Sequence, residues 1–286
     1  MLQGAAHHSF PQHGTHVSFA HKRRRRSPHA GLFGFTAEHL RVLVSLVDLL
    51  WIAGCIAFAS FAQSLSGFGF SLIAVPLMTL VVSPRDAVVV ATVIGAFSTT
   101  SQAFLDRAHV DVAIAKRLTM ASLLGMPFGL TAFVLVSETG LRVVLGIVVL
   151  VSAVMLLRGF QLHDKKHRLD WVLGIVSGFL STSTSTNGPP LVFVMQARRI
   201  DPTVFRATIN TVFSLVNIVA VAMFVAAGKV NTNNLSGVLV AIPALFMALR
   251  IGYYFRKHIT PERFRFLVIS LMFLSAGSVI VSAFTN

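Results

Sequence analysis

Two short stretches of an otherwise apolar sequence have residue types that could hold a small anion. The first is Ser66-Gly67-Phe68-Gly69; the second runs from Ser181 to Thr186 and on through Asn187-Gly188-Pro189-Pro190. Both would interrupt a helix, and a helix that restarts after an interruption exposes unpaired N–H groups and a positive dipole end. Gly67 and Gly69 allow the backbone to come close to a bound group. The hydroxyls of Ser181, Thr182, Ser183, Thr184, Ser185 and Thr186 can donate to oxyanion acceptors. The candidate substrate-binding set is therefore Gly67, Phe68, Gly69, Ser183, Thr184, Ser185, Thr186, Asn187, Gly188, Pro189 and Pro190. The same glycines and hydroxyls also suit close packing between membrane helices, so the two readings stand side by side.

Other polar residues extend the picture. Asn210 and Asn217, seven residues apart, fall on one helix face and with Gln63 could line a path; amides there could equally bond helix to helix. Asp48 lies within an apolar run, where an ionisable group is a candidate for ion or proton coupling, although an interfacial position would explain it too. Arg206 reads as a loop or headgroup charge. Hydrolysis would require a nucleophile beside a base or a pair of acids. The histidines beyond residue 41, namely His109, His163, His167 and His258, all fall in expected loops, so no enzyme, metal site or cofactor is expected.

The elements that must position these residues are apolar helices. Of 286 residues, 55% are hydrophobic and 12% charged, whereas soluble domains carry about 25% charged residues; the mean hydropathy is +0.76. An all-helical polytopic membrane protein in contact with lipid is expected. The formal charge of +14 comes from Lys and Arg between apolar segments, which marks orientation and phospholipid contact rather than nucleic acid. A crossing helix needs roughly 20 residues. Six candidates satisfy this, at 87 to 105, 113 to 136, 141 to 158, 203 to 228, 232 to 249 and 264 to 284, and two interrupted regions lie at 42 to 82 and 169 to 198. Residues 1–41 hold seven of the eleven histidines and the run Lys22 to Arg26, and read as a disordered tail, with metal or lipid binding as the sharper alternative. No cleaved leader is expected, because no small-residue cleavage site follows the apolar run from Val42. Cys55 has no intrachain partner.

The interruptions recur at matching places. Pro84 follows Gly69 by 15 residues and Pro202 follows Asn187 by 15; Pro127 lies 43 beyond Pro84 and Pro243 lies 41 beyond Pro202. Each half then reaches a Glu and an Arg, at Glu138 and Arg142 or Glu262 and Arg265. The expected organisation is a first membrane repeat over 42–158, a loop over 159–168 and a second repeat over 169–286. Paired interrupted segments of this kind point to a transporter site.

Basic residues separate two topologies. If each broken region crosses once, the faces carry eight and ten basic residues outside the tail. If each is a hairpin returning to its own side, the connections at 106–117, 158–170, 198–206 and 250–265 share fifteen, leaving Arg85, Arg142 and Lys229 opposite. The hairpin arrangement has the positive-inside asymmetry and makes the two repeats inverted. It also puts the basic tail on the outer face, raising that side from three to nine, and 42 to 62 is long enough to cross unaided.

Three stretches in this order, Gln63-Ser64-Leu65-Ser66-Gly67-Phe68-Gly69, Asn187-Gly188-Pro189-Pro190 and Phe205-Arg206-Ala207-Thr208, resemble the TauE/SafE family of sulfite exporters, over about residues 42 to 284. The chain departs from the family pattern in the Ser/Thr-rich run from Ser181 and in Asn187, both where glycine is the expected residue. The resemblance implies a secondary transporter of sulfite, organosulfonates or related small anions in the bacterial inner membrane. A channel or a membrane assembly factor is the alternative, and the oligomeric state is open.

Overall fold

In a computed structural model, residues 37–158, 168–197 and 200–255, with 270, 273 and 277, are described. Residues 1–36 of the expected tail and the expected last span at 264 to 284, apart from 270, 273 and 277, lie outside these residues. By backbone proximity Met1–Arg41 and Val42–Asn286 form separate units. All packing described below lies within the second.

The described residues form helices and no strands: α1 Ala37–Ser66, α2 Phe70–Met78, α3 Pro84–Leu105, a 3-10 turn Arg107–His109, α4 Val112–Leu135, α5 Glu138–Arg158, α6 Arg168–Thr184, α7 Gly188–Ala197, α8 Pro202–Ala226 and α9 Thr232–Phe255. Five segments are long and apolar enough to cross a membrane: Leu46–Ser66, Pro84–Leu105, Val112–Leu135, Pro202–Ala226 and Gly237–Phe255. Many of their large apolar side chains, among them Phe97, Phe104, Phe128 and Leu239, are exposed, as lipid-facing residues are.

The same local chemistry starts α3 and α8. Ser83 caps α3, its side chain accepting from the Asp86 N–H, and Pro84 occupies the first turn. Asp201 and Pro202 do the same for α8, with Asp201 accepting from Thr203 and Val204. Proline suits the first turn because its missing N–H would have no helical partner there.

Pairings between helices fix their directions. Gly95 of α3 faces Asn217 of α8, and Thr100 bonds Ser214 at 2.7 Å, so α3 and α8 are antiparallel. The Asp111 N–H donates to Thr208 Oγ1 at 2.9 Å, which puts the turn after α3 beside the start of α8. At the other end, Asn231 Nδ2 reaches Asp86 Oδ1 at 3.2 Å and Arg85 Nη2 reaches the Val136 carbonyl at 2.9 Å. Arg107, Lys116, Arg117 and Arg206 thus gather towards one end, hereafter the basic end, and Arg85 and Lys229 towards the opposite end.

The entering arm of each broken region is long. Ile52 of α1 lies against Gly237 of α9, and Ser64 against Gly252, so α1 accompanies α9 towards the basic end. Likewise α6 accompanies α4 away from the basic end, from the Gly174–Ala121 contact to Gly129 against Phe179 and Thr182. A Cβ on Gly125 or Gly178 would overlap the facing backbone of Ile175 or Ser122, so these glycines let the α4 and α6 backbones touch. The short helices then turn back: Trp51 Nε1 of α1 donates to the Leu77 carbonyl at the end of α2 at 3.0 Å. Because each arm passes the middle before it breaks, the two breaks overlap along the bundle instead of meeting tip to tip.

Candidate functional site

Both interruptions form where the sequence placed them, in shorter versions. After α1, Gly67 and Gly69 adopt φ of 83° and 93°, a conformation that favours glycine. Gly69 caps α2 without any side-chain bond, so the first-turn N–H groups of that helix have no side-chain partner. After α6 the break is confined to Ser185, Thr186 and Asn187, because the helix runs on through Thr184. Ser185 has φ 59°, strained for a residue with a Cβ.

The second short helix starts at Gly188, ahead of the proline pair expected to precede it. Pro189 and Pro190 therefore occupy its first turn, where proline is sterically compatible. They carry no N–H, so α7 offers fewer backbone donors at its start than α2 does. Side chains stand there instead. Asn187 is 7% exposed, and its Nδ2 is buried with no partner. An unpaired buried donor costs about 1–3 kcal/mol, a penalty that an acceptor placed against it would remove.

The two breaks share one cavity, lined by Gln63, Gly69, Phe70, Ser71, Leu72, Gly95, Thr99, Ser185, Thr186, Asn187, Gly188, Phe213 and Asn217. Ser71 Oγ of α2 lies 3.3 Å from Ser185 Oγ, and Thr92 Oγ1 donates to Ser185 Oγ at 3.0 Å. Ser98 Oγ donates to Gln63 Oε1 at 2.7 Å, turning that amide. Gly95 stands halfway along α3, so the cavity sits at mid-depth of a spanning helix.

Eight of the thirteen lining residues fall into four pairs separated by 118 residues, the separation of Pro84 and Pro202. Gly69 matches Asn187, Thr99 matches Asn217, and Phe70 and Gly95 match Gly188 and Phe213. The last four exchange size: the Phe70 ring covers Gly95, and the Phe213 ring covers Gly188, each 3.7 to 3.8 Å from where a Cβ would stand. One half places its aromatic residue on the short helix, the other on the long one.

Of the expected site residues, Gly69, Ser185, Thr186, Asn187, Gly188, Gln63 and Asn217 come together, and the rest do not. Ser183 Oγ donates back to the Phe179 carbonyl, the usual way a helix absorbs hydroxyls, while Thr184 Oγ1 reaches both the Leu180 carbonyl at 3.2 Å and Thr186 Oγ1 of the lining at 2.6 Å. Thr182 donates across to the Met126 carbonyl at 2.6 Å, a packing role. Gly67 abuts the stem of Arg206, 2.8 Å from where its Cβ would be, and Phe68 packs edge-on against Phe205. Pro189 and Pro190 lie outside the lining. Asn210 is fully buried with both amide atoms unpartnered and is not in the lining. Asp48 is half-buried on α1, away from the cavity.

Sequence reasoning missed Ser71, Thr99, Gly95 and Phe213. The 118-residue shift was the available signal, since it carries Asn217 onto Thr99. It also missed Asp170, buried in the first turn of α6 and paired with Arg117 Nε of α4 at 2.9 Å. The Asp201 carboxyl is held below its usual range, chiefly by the Thr203 N–H, with Arg206 contributing. Among the described residues no group of His, Cys, Asp and Glu could hold a metal ion.

The chain is similar to the probable inner membrane transporter protein TsaS of Comamonas testosteroni, 28% identical over 102 residues, 35% of this chain and 43% of that protein. The chain thus spans less than half the length of that relative. No solved structure matches significantly. The sulfite exporter TauE/SafE family profile matches residues 52–279, which takes in both breaks and every residue lining the cavity, and with its multiple membrane-spanning helices the chain belongs to that family.

Proposed function

We propose that the protein is a secondary transporter of the inner membrane that carries a small sulfur-containing oxyanion through the cavity between its two helix breaks. The observation that carries this reading is the unpartnered, buried Nδ2 of Asn187, a residue of the cavity lining to which the start of α2, Ser71 and Ser185 also belong. A bound oxyanion would accept from Asn187, from the hydroxyls and from the free N–H groups of α2, replacing the water it leaves behind. The 42–158 and 169–286 halves are read as inverted repeats, a reading supported by the antiparallel course of α3 and α8 and by the paired lining. Alternating access then corresponds to rocking of one half against the other around the fixed cavity.

The test is counterflow by the purified protein in liposomes, with sulfite and methanesulfonate as probes. Saturable exchange stimulated by anion on the far side is expected; flux that rises linearly with concentration would show a channel instead. Asn187→Leu should reduce exchange at least about tenfold, the cost of one lost charge-assisted bond, at unchanged membrane abundance. Ser101→Ala, on the α3 flank away from the cavity, should exchange normally. Full activity of Asn187→Leu would remove the central-site reading.

A further inference from the structure

Given that transport reading, we propose that the cavity is balanced for a single negative charge, accepting a singly charged oxyanion and discriminating against a doubly charged one of the same shape. None of the described residues lining the cavity is charged. Positive potential comes instead from two helix starts, α2 of nine residues behind Gly69 and α7 of ten residues behind Asn187. Each helix start is equivalent to roughly half a unit of positive charge at most, and α7 gives less than α2 because Pro189 and Pro190 carry no N–H, so the pair offsets no more than about one negative charge.

The neutral donors are limited in the same sense. Asn187 Nδ2 awaits an acceptor, whereas the hydroxyls of Ser185, Ser71 and Thr92 already bond one another and can turn towards a ligand only by giving up those contacts. Arg206, the cation whose aliphatic stem presses on Gly67 of the first break, is not in the lining and interacts with the carboxylate of Asp201. A second negative charge would therefore enter a low-dielectric space unmatched, where the desolvation cost dominates. The rings of Phe70 and Phe213 and the Leu72 side chain make up the apolar part of the wall, which adds no compensation.

Methylphosphonate separates charge from shape, because it gains its second negative charge between mildly acidic and mildly alkaline pH while keeping its skeleton. Methanesulfonate, of similar size, stays singly charged throughout and serves as the pH control. The full-length protein in liposomes is supplied with whichever labelled anion of sulfite, methanesulfonate and acetate gives saturable uptake, and each competitor is titrated at both pH values. Methylphosphonate is expected to compete at mildly acidic pH and to weaken at least about tenfold at mildly alkaline pH, with methanesulfonate competing equally at both. Equal competition by methylphosphonate at the two pH values, or none at either, overturns the charge rule while leaving anion transport standing. Absence of saturable uptake across the labelled panel instead overturns the transport reading and the charge rule with it.

Discussion

Ser185 is the residue at which local strain and site chemistry meet. Its φ of 59° costs about 1–2 kcal/mol for a residue with a Cβ, yet its hydroxyl receives Thr92 and touches Ser71, joining the two breaks. Replacing Ser185 by Gly should relieve the strain while removing the hydroxyl. Thermal stability in detergent is therefore expected to hold or rise, while exchange in liposomes falls severalfold. A variant that is both more stable and fully active would mean that the hydroxyl only packs. At this scale the sequence was half legible. Special residue types such as Gly69 and Asn187 stood out against an apolar background, but sequence does not reveal that the Ser183 hydroxyl turns back to its own helix while that of Thr184 also reaches Thr186 beside the cavity. Thr99 and Phe213 were invisible for the opposite reason, being ordinary residues made important by the helix they face.

Between elements, α4 and α6 meet backbone to backbone, and two devices hold that contact. Gly178 brings α6 onto the backbone of α4 at Ser122, so Gly178→Ala should cost about 1–3 kcal/mol as an overpacked contact, read as a lower melting temperature of the purified protein. Gly54→Ala in α1, where an added Cβ meets nothing within 4 Å, should be neutral or slightly stabilising by helix propensity. The second device is the Arg117–Asp170 pair, with side chains 21% and 1% exposed. Removing one partner strands a charge, so Asp170→Ala is expected to cost about 3–5 kcal/mol, and Asp170→Ala with Arg117→Leu to recover much of it. Similar losses in the single and double variants would show that Asp170 matters through another contact. The spans were legible from their length and hydropathy, and the helix starts from Ser83-Pro84 and Asp201-Pro202. The depth of the breaks was not, because break position along a bundle depends on which helix runs beside which, and small-residue contacts such as Ser64 against Gly252 leave only a faint trace in one sequence.

For the whole molecule, the remaining question is which ends share a face of the membrane. Charge counting favours hairpins at both breaks, and the contacts agree: Asp111 beside Thr208 joins the turn after α3 to the start of α8, while Asn231 beside Asp86 joins the start of α9 to that of α3. Single crossing of each broken region would place those partners on opposite faces. The proposal that the basic end faces the cytoplasm can be checked with single cysteines in a Cys55→Ser background. His109→Cys and Asp201→Cys are expected to be protected from an impermeant thiol reagent applied to intact cells and to react once the membrane is permeabilised. Thr139→Cys and Ala227→Cys should react from outside without permeabilisation. All four positions are exposed to solvent in the bundle, so failure to label cannot be put down to burial. If His109 and Asp201 differ in accessibility, the hairpins fail; if all four exchange their expected behaviour, the hairpins stand and the orientation is reversed.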